Sequence, residues 1–413
     1  MNVTIKKCNK LEGSIKISGS KNSALPLLAI SLLTKQKLTF TNVPMITDIY
    51  NMIKSLKELG VKVNLDYQNN KVVLKRKKVK KELSSEVAKK IRASYYLYPG
   101  LIHLNKKCKV IKPGGCNFTN RPIDYHLKMF EASGVKVQSD DNFIYFQRKK
   151  LKQTTIRFNT PTVGGTINAL LHFVLVKGTT VIKDQPIEPE IKEVINCLSS
   201  MGANINIRDN NIIIKGVRKL KGVTYQVMPD RIELGSYLLL ASSVKSNVCL
   251  KNINKDSFAY LEPYLNKLNI NYLYNKEGLI ITQSNEVNGC DIKASSFPYF
   301  PTDLQPILCA LLLTSNSKST IYDDIYPNRI SHVKEMQKLK ASINVSNNII
   351  TIYPSMLEGS KVYAHDLRCG FALIVCACLS KGETIIENFE VINRGYENII
   401  LKLKSIGVQI NEN

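Results

Sequence analysis

The chain repeats one unit six times, and any fold it adopts must accommodate that. An apolar-faced helix end followed by a strand recurs as L-K-E-L-G-V-K-V, F-E-A-S-G-V-K-V, L-S-S-M-G-A-N-I, L-N-K-L-N-I-N-Y, M-Q-K-L-K-A-S-I and L-K-S-I-G-V-Q-I. Aligned on the residue after the helix, the copies fall at Gly60, Gly134, Gly202, Asn269, Lys340 and Gly407, at intervals of 74, 68, 67, 71 and 67 residues. Glycine at four of the six positions fits a helix C-cap, where a left-handed backbone is cheapest without a Cβ. V-N-L-D-Y-Q-N-N-K-V-V-L, I-N-I-R-D-N-N-I-I-I and I-N-V-S-N-N-I-I-T-I then read as strand, polar turn, strand. A further strand precedes each helix, as in G-T-T-V-I-K-D at 178–184 and G-E-T-I-I-E-N at 382–388. The period exceeds that of ordinary solenoid repeats, and no Pro/Gly/Ser-rich linker separates the copies. The expectation is an α/β protein whose units of about 70 residues pack into larger bodies.

Composition narrows the class. The 413 residues are 44% hydrophobic and 22% charged, which is globular and long enough for two domains. M-N-V-T-I-K-K-C-N-K at the start lacks the apolar core of a signal peptide. Apolar runs such as A-L-P-L-L-A-I-S-L-L at 24–33 are too short to span a bilayer. Ten cysteines without paired spacing point to reduced thiols and a cytoplasmic address. The C-x-C at 376 and 378 lies in an apolar helical run and reads as core, not metal. The net charge of +25 invites a nucleic-acid partner. Yet 47 of the 58 basic residues are lysine, scattered except at K-R-K-K-V-K-K (75–81), which reads as a solvated strand end and turn. Charge alone does not separate a nucleic acid from an anionic small molecule.

Arginine placement is more informative. Six of the eleven arginines fall in I-R-A-S-Y-Y, the 112–122 loop, M-P-D-R-I-E, Y-P-N-R-I-S-H-V, A-H-D-L-R and I-N-R-G-Y-E. In a lysine-rich chain this hints at bidentate binding of carboxylate or phosphate. The alternative is local Asp–Arg pairing, at 230–231 and 366–368 in particular. In I-S-G-S-K-N-S-A, Ser18 to Asn22 read as a small polar turn and the apolar run from Ala24 as a buried helix, which puts Lys21 and Asn22 where helix-start amides suit an anion. K-P-G-G-C-N-F-T-N-R-P sets Cys116 among small and polar neighbours with Lys112 and Arg121 close by, conditions that favour a thiolate. A loop cysteine without a role is the plain alternative.

Taken in order over the whole length, these segments resemble the enolpyruvyl transferases. The family's G-A/S-K-N stands as Gly19–Asn22. Its P-G-G-C followed by R-P-x-D-x-H stands as Pro113 to Cys116 and Arg121 to His126. The resemblance implies a two-domain inside-out α/β barrel with three copies of the unit per domain. Residues 1–20 with 230–413 would form the domain holding both termini. Residues 21–229 would form the inserted domain, carrying a mobile Cys116 loop, with the active site in a cleft between the two.

The Cys116 pattern resembles that of family members using UDP-N-acetylglucosamine. The implied reaction moves the enolpyruvyl group of phosphoenolpyruvate to its 3′-hydroxyl and releases phosphate, the first committed step of peptidoglycan precursor synthesis. By the same resemblance Asp303 is the base, and Cys116 the general acid and the residue alkylated by fosfomycin. Lys21, Arg121 and Arg394 grip the phosphate, with Lys21 and Arg394 also counted as catalytic. Arg329 and Arg368 lie near the phosphoenolpyruvate carboxylate, and Asn22 touches the intermediate. The UDP-sugar falls to Arg92, Arg121, Pro122, Ile123, Asp124, Tyr125, Thr162, Val163, Gly164, Asp303 and Ile325. No metal or organic cofactor is required, and a monomer is expected, with neither nucleic acid nor membrane as partner.

Departures are few. Phe118 and Thr119 replace the family's I-G, R-A-S-Y-Y-L-Y-P-G replaces R-A-S-x-x-x-x-G-P, Thr162 stands where serine is usual, and Asn393 replaces aspartate. They leave open a paralogue with a different nucleotide acceptor. A basic nucleic-acid-binding protein is the remaining alternative, against which stand the absence of tryptophan and of any recognised binding motif.

Overall fold

A computed structural model describes residues 1–114, 123–185, 188–283 and 285–413. All six copies share one plan, plainest in the third. An edge strand Thr155–Arg157 leads into a buried helix Val163–Phe173 and a centre strand Thr179–Lys183. An outer helix Pro189–Ser200 and a hairpin of Asn204–Arg208 and Asn211–Lys215 complete it. The edge and centre strands run parallel, with Ile156 opposite Ile182. The hairpin adds antiparallel, pairing Val181 with Ile213 and Ile205 with Ile214.

The hairpin turns carry the left-handed residues such turns need. Asp209 and Asn210 have φ of 48° and 59°, and Asn347 and Asn348 have 50° and 63°, the pattern of a two-residue type I′ turn. The helix ends behave alike. Gly60, Gly134, Gly202 and Gly407 have φ between 90° and 96°. Asn269 and Lys340 take φ of 59° and 68° at the corresponding positions, so the geometry persists where the glycine is missing.

The chain forms two compact units, Met1–Ser18 with Pro229–Asn413, and Gly19–Met228. Each holds three sheets. In the first unit the helices Arg231–Ser243, Gln305–Leu312 and Leu367–Leu379 pack on one another, and every residue of Gln305–Leu312 is buried. These helices are apolar on all sides because each is surrounded. The outer helices bury one stripe only: Thr47–Glu58 does so with Ile49, Met52, Ile53 and Leu56. The buried helices therefore form the inside of each unit, with the sheets and the outer helices around them, the inside-out barrel expected.

Three strands depart from simple repetition. Leu11–Lys16 precedes the buried helix Lys21–Ala29 in sequence, yet it runs parallel to Ser246–Lys251 in the fourth copy's sheet. Val223–Gln226 precedes the helix Arg231–Ser243, yet it runs parallel to Leu38–Thr41 in the first copy's sheet. The first and fourth copies have exchanged edge strands. The N-terminal strand Val3–Lys6 lies antiparallel between Glu383–Glu387 and Ile410–Glu412, supplying the hairpin strand the sixth copy lacks.

Candidate active site

In the first unit Asp303, Arg329 and Arg368 meet. Asp303 sits in the 3-10 turn Thr302–Leu304, just before the buried helix Gln305–Leu312. Arg329 Nη1 reaches Asp303 Oδ1 at 2.7 Å, and Arg368 Nη2 reaches Oδ2 at 3.0 Å. Asp303 keeps 27% of its side chain exposed, against 4% for Arg329 and 7% for Arg368. Two guanidinium groups buried this deeply are tolerated only when paired and hydrogen-bonded.

Each arginine is also anchored elsewhere. Arg329 Nη1 donates to the Thr302 carbonyl at 2.7 Å, and its guanidinium lies 4.9 Å from the centre of the Tyr326 ring. Arg368 Nη1 donates to the Tyr396 hydroxyl at 2.9 Å. That hydroxyl lies 2.8 Å from Ser236 Oγ, which itself donates to the Ile232 carbonyl at 2.7 Å. Arginine only donates, so the protons in this chain all point from Arg368 towards Ile232. Burial pushes the Tyr396 phenol above its ordinary value, which keeps it a neutral link. Burial opposes the Arg368 charge, but Tyr396, Asp303 and Asp230 outweigh it and raise the guanidinium pKa.

The local sequence explains how these side chains come together. Asp366 caps the helix Leu367–Leu379, its Oδ1 accepting from the Arg368 and Cys369 amides at 2.7 and 3.1 Å. The Asp–Arg pairing allowed at 366–368 is thus not an ion pair: the aspartate holds backbone and the arginine crosses to Asp303. A Cβ at Gly235 would stand 2.4 Å from Leu304 Cδ1, so glycine there admits the turn carrying Asp303. A Cβ at Gly370 would stand 2.6 Å from Ile392 Cγ1, which lets the turn Phe389–Arg394 approach. Arg394 ends that turn, half-buried. Asp323 accepts from the Ile325 and Tyr326 amides at 3.0 and 2.8 Å and from the Thr302 hydroxyl, fixing the loop of Ile325 beside the Asp303 turn.

The second unit presents two further groups. Lys21 and Asn22 are the first residues of the helix Lys21–Ala29, not part of the preceding turn. Ser20 caps it by accepting from the Ser23 amide, and Lys21 Nζ donates to Asp48 Oδ2 at 2.8 Å. The helix Val163–Phe173 opens on Thr162, whose Oγ1 accepts from the Gly165 amide and whose own amide donates to Gln185 Oε1. Gly164 lies so close to Tyr95 that a Cβ would stand 2.6 Å from the phenol oxygen. Asp124 begins the helix Asp124–Ala132 and is exposed, with Ile123 as its cap residue. The Tyr125 hydroxyl accepts from Thr160 Oγ1 at 3.3 Å.

Beneath them His126 Nδ1 lies 2.8 Å from Asn168 Nδ2, and its ring centre lies 4.4 Å from that of Tyr95. Burial, then the charge of Arg92 in the turn Arg92–Leu97, pushes the imidazole down to about 3. This histidine is a neutral strut between helices. Cys116, Arg121 and Pro122, like Phe118 and Thr119, lie outside the described residues. Among the described residues no group of three or more His, Cys, Asp or Glu side chains could hold a metal ion. No described helix is long and apolar enough to cross a membrane.

Several partners in these clusters were not singled out from the sequence: Tyr396, Thr302, Asp323, Asp48, Asn168 and Tyr95. Tyr95 lay in I-R-A-S-Y-Y, read there for Arg92, and Tyr396 in I-N-R-G-Y-E, read there for Arg394.

Residues 5–403 match the family described as EPSP synthase (3-phosphoshikimate 1-carboxyvinyltransferase). UDP-N-acetylglucosamine 1-carboxyvinyltransferase of Halothermothrix orenii is 36% identical over 410 residues, covering 99% of this chain and 98% of that protein. UDP-N-acetylglucosamine 1-carboxyvinyltransferase 2 of Staphylococcus aureus (strain MW2) is 37% identical over 402 residues, covering 97% and 96%. Among solved structures, the enolpyruvyl transferase NikO from Streptomyces tendae aligns with a TM-score of 0.90 at 19% identity, over 99% of this chain and 98% of that one. EPSP synthase from Acinetobacter baumannii aligns with a TM-score of 0.80 at 15% identity, over the full length of both. At such identities the two structures speak for the fold alone.

Proposed function

The chain belongs to the enolpyruvyl (carboxyvinyl) transferase family, and from that premise we propose the following reaction for it. It transfers the enolpyruvyl group of phosphoenolpyruvate to the 3′-hydroxyl of UDP-N-acetylglucosamine, releases phosphate, and so supplies peptidoglycan precursor synthesis. The observation that carries this reading is the end-to-end likeness, at 36–37% identity, to proteins named for that acceptor. The Asp303–Arg329–Arg368 cluster supports it from the side of chemistry, since paired arginines suit a substrate carboxylate.

The reaction needs a base, an acid and a cationic lining. Asp303 takes the proton of the acceptor hydroxyl, whose oxygen bonds to C2 of phosphoenolpyruvate while an acid, Cys116, protonates C3. The product of that addition is a tetrahedral ketal bearing both phosphate and sugar. Loss of a C3 proton and departure of phosphate then restore the double bond. Arg329 and Arg368 hold the carboxylate; Lys21, Arg121 and Arg394 hold the phosphate, with Asn22 beside the intermediate. Fixed cations are worth several kcal/mol where water is scarce, roughly 3 kcal/mol for one well-placed donor. Arg92, the 121–125 segment, the helix start at Thr162–Gly164 and Ile325 take the nucleotide sugar, a helix N-terminus being suited to a diphosphate. The reading calls for no metal or organic cofactor, a monomer and a cytoplasmic address.

Running the reaction in heavy water tests the substrates and the ketal together. The expected product is an enolpyruvyl sugar nucleotide with deuterium in its vinyl methylene, because C3 is protonated and deprotonated in turn. An unlabelled product contradicts the ketal route. No product at all contradicts the acceptor.

A further inference from the structure

Two arginines that are nine-tenths buried converge on one carboxylate, and that carboxylate belongs to the chain itself. Arg329 binds one oxygen of Asp303 and Arg368 the other. The arrangement is that of a seat for any carboxylate, held open by anchors independent of the Asp303 side chain. Arg329 stays fixed by the Thr302 carbonyl and the Tyr326 ring, and Arg368 by the Tyr396 hydroxyl. Asp303 is the exposed member of the trio, so its side chain has water to turn towards while the arginines do not.

The same contacts restrain its chemistry. A carboxylate whose two oxygens each accept a charge-assisted hydrogen bond has less lone-pair capacity left for a hydroxyl proton. We propose that Asp303 and the substrate carboxylate compete for this one arginine pair. Arriving phosphoenolpyruvate takes the place of Asp303 on Arg329 and Arg368, Asp303 turns aside, and its displaced carboxylate becomes the base. The base is thereby switched on by the substrate whose chemistry it serves, and Asp303 is a gate on phosphoenolpyruvate binding as well as the proton acceptor. The exchange breaks and forms ion pairs only; no covalent bond changes. It rests on the phosphoenolpyruvate assignment made above.

Equilibrium binding of phosphoenolpyruvate and of inorganic phosphate, to the wild-type protein and to Asp303→Asn, tests this. An amide keeps the shape but loses the charge that competes for the seat. If the competition holds, Asp303→Asn binds phosphoenolpyruvate about tenfold tighter or more, as expected for a lost charged competitor, although turnover is abolished. Inorganic phosphate, which has no carboxylate, gains less than about twofold, within the usual noise of surface charge effects. Unchanged or weaker phosphoenolpyruvate binding overturns the proposal, and so does an equal gain for phosphate, which would mean general charge relief. Asp303→Ser, checked for native circular dichroism, provides the same comparison should the asparagine variant misfold. Wild-type turnover with no gain in either variant sinks the gate alone. Absence of phosphoenolpyruvate binding by the wild type sinks the substrate assignment, and the gate with it.

Discussion

Arg368 stands in the first turn of the helix Leu367–Leu379, where backbone amides already present positive charge and a cation is unfavourable. Its burial there makes sense only through the anion it meets, Asp303, and the phenol that steadies it. Hydrogen bonds to charged groups contribute about 1.5–3 kcal/mol. Removing the Tyr396 hydroxyl while keeping its ring, stacked on Phe371, should therefore loosen Arg368 without opening the core. For Tyr396→Phe the expectation is a KM for phosphoenolpyruvate raised roughly tenfold, with the KM for the sugar nucleotide little changed. Steady-state kinetics with each substrate varied in turn would read it, and equal rises in both KM values would count against the role. The arginines themselves were legible in the sequence because they are scarce in a lysine-rich chain. Their partner was not: Asp366 lies two residues from Arg368 and looks like its mate, while Asp303 lies 65 residues away. Local spacing carries no information about that contact.

The repeated helix end shows what a short motif does determine. Gly202 and Gly407 have room for a Cβ, with nothing within 4 Å of the first and one carbonyl at 3.9 Å from the second. At Gly60 and Gly134 a Cβ would stand 2.6 Å from the carbonyls of Lys78 and Lys150. Alanine at Gly202 or Gly407 should thus cost only the left-handed backbone penalty, about 1–2 kcal/mol. Alanine at Gly60 or Gly134 should cost more, since a backbone carbonyl must also shift. Lys340→Gly removes the same penalty and should stabilise by up to about 1 kcal/mol, less the entropy glycine adds to the unfolded chain. Urea denaturation of the five variants would test the order, and a Gly202→Ala cost equal to that of Gly60→Ala would break it. These helix ends and the hairpins after them were legible because each depends on its own few residues.

What six similar copies cannot announce is which sheet an edge strand joins. Leu11–Lys16 and Val223–Gln226 each precede a buried helix in the same way, so sequence alone gives no reason for their exchange. The histidines also divide unevenly between the two units. Burial pushes His103 to about 4, His126 to about 3 and His172 well below its ordinary value, all within Gly19–Met228. The other unit holds one such group, His332, at about 4. Below pH about 6.5 an unfolded histidine takes up a proton that these buried ones refuse, so stability falls as pH falls. Each contributes a slope of up to about 1.4 kcal/mol per pH unit. Glu193, raised to about 7 by burial, acts with the opposite sign in Gly19–Met228, as does buried Glu233 in the other unit. Glu193 offsets about one of the three histidines of its unit, so an excess remains in Gly19–Met228. Hydrogen exchange at pH 7 and pH 5.5 should show Gly19–Met228 losing more protection, and an equal loss in both units would contradict this. Phosphate release from phosphoenolpyruvate with UDP-N-acetylglucosamine, with shikimate 3-phosphate and with neither reports which reaction the protein catalyses. Release that requires UDP-N-acetylglucosamine is expected; release with shikimate 3-phosphate instead, or with no acceptor present, would refute the proposed transfer.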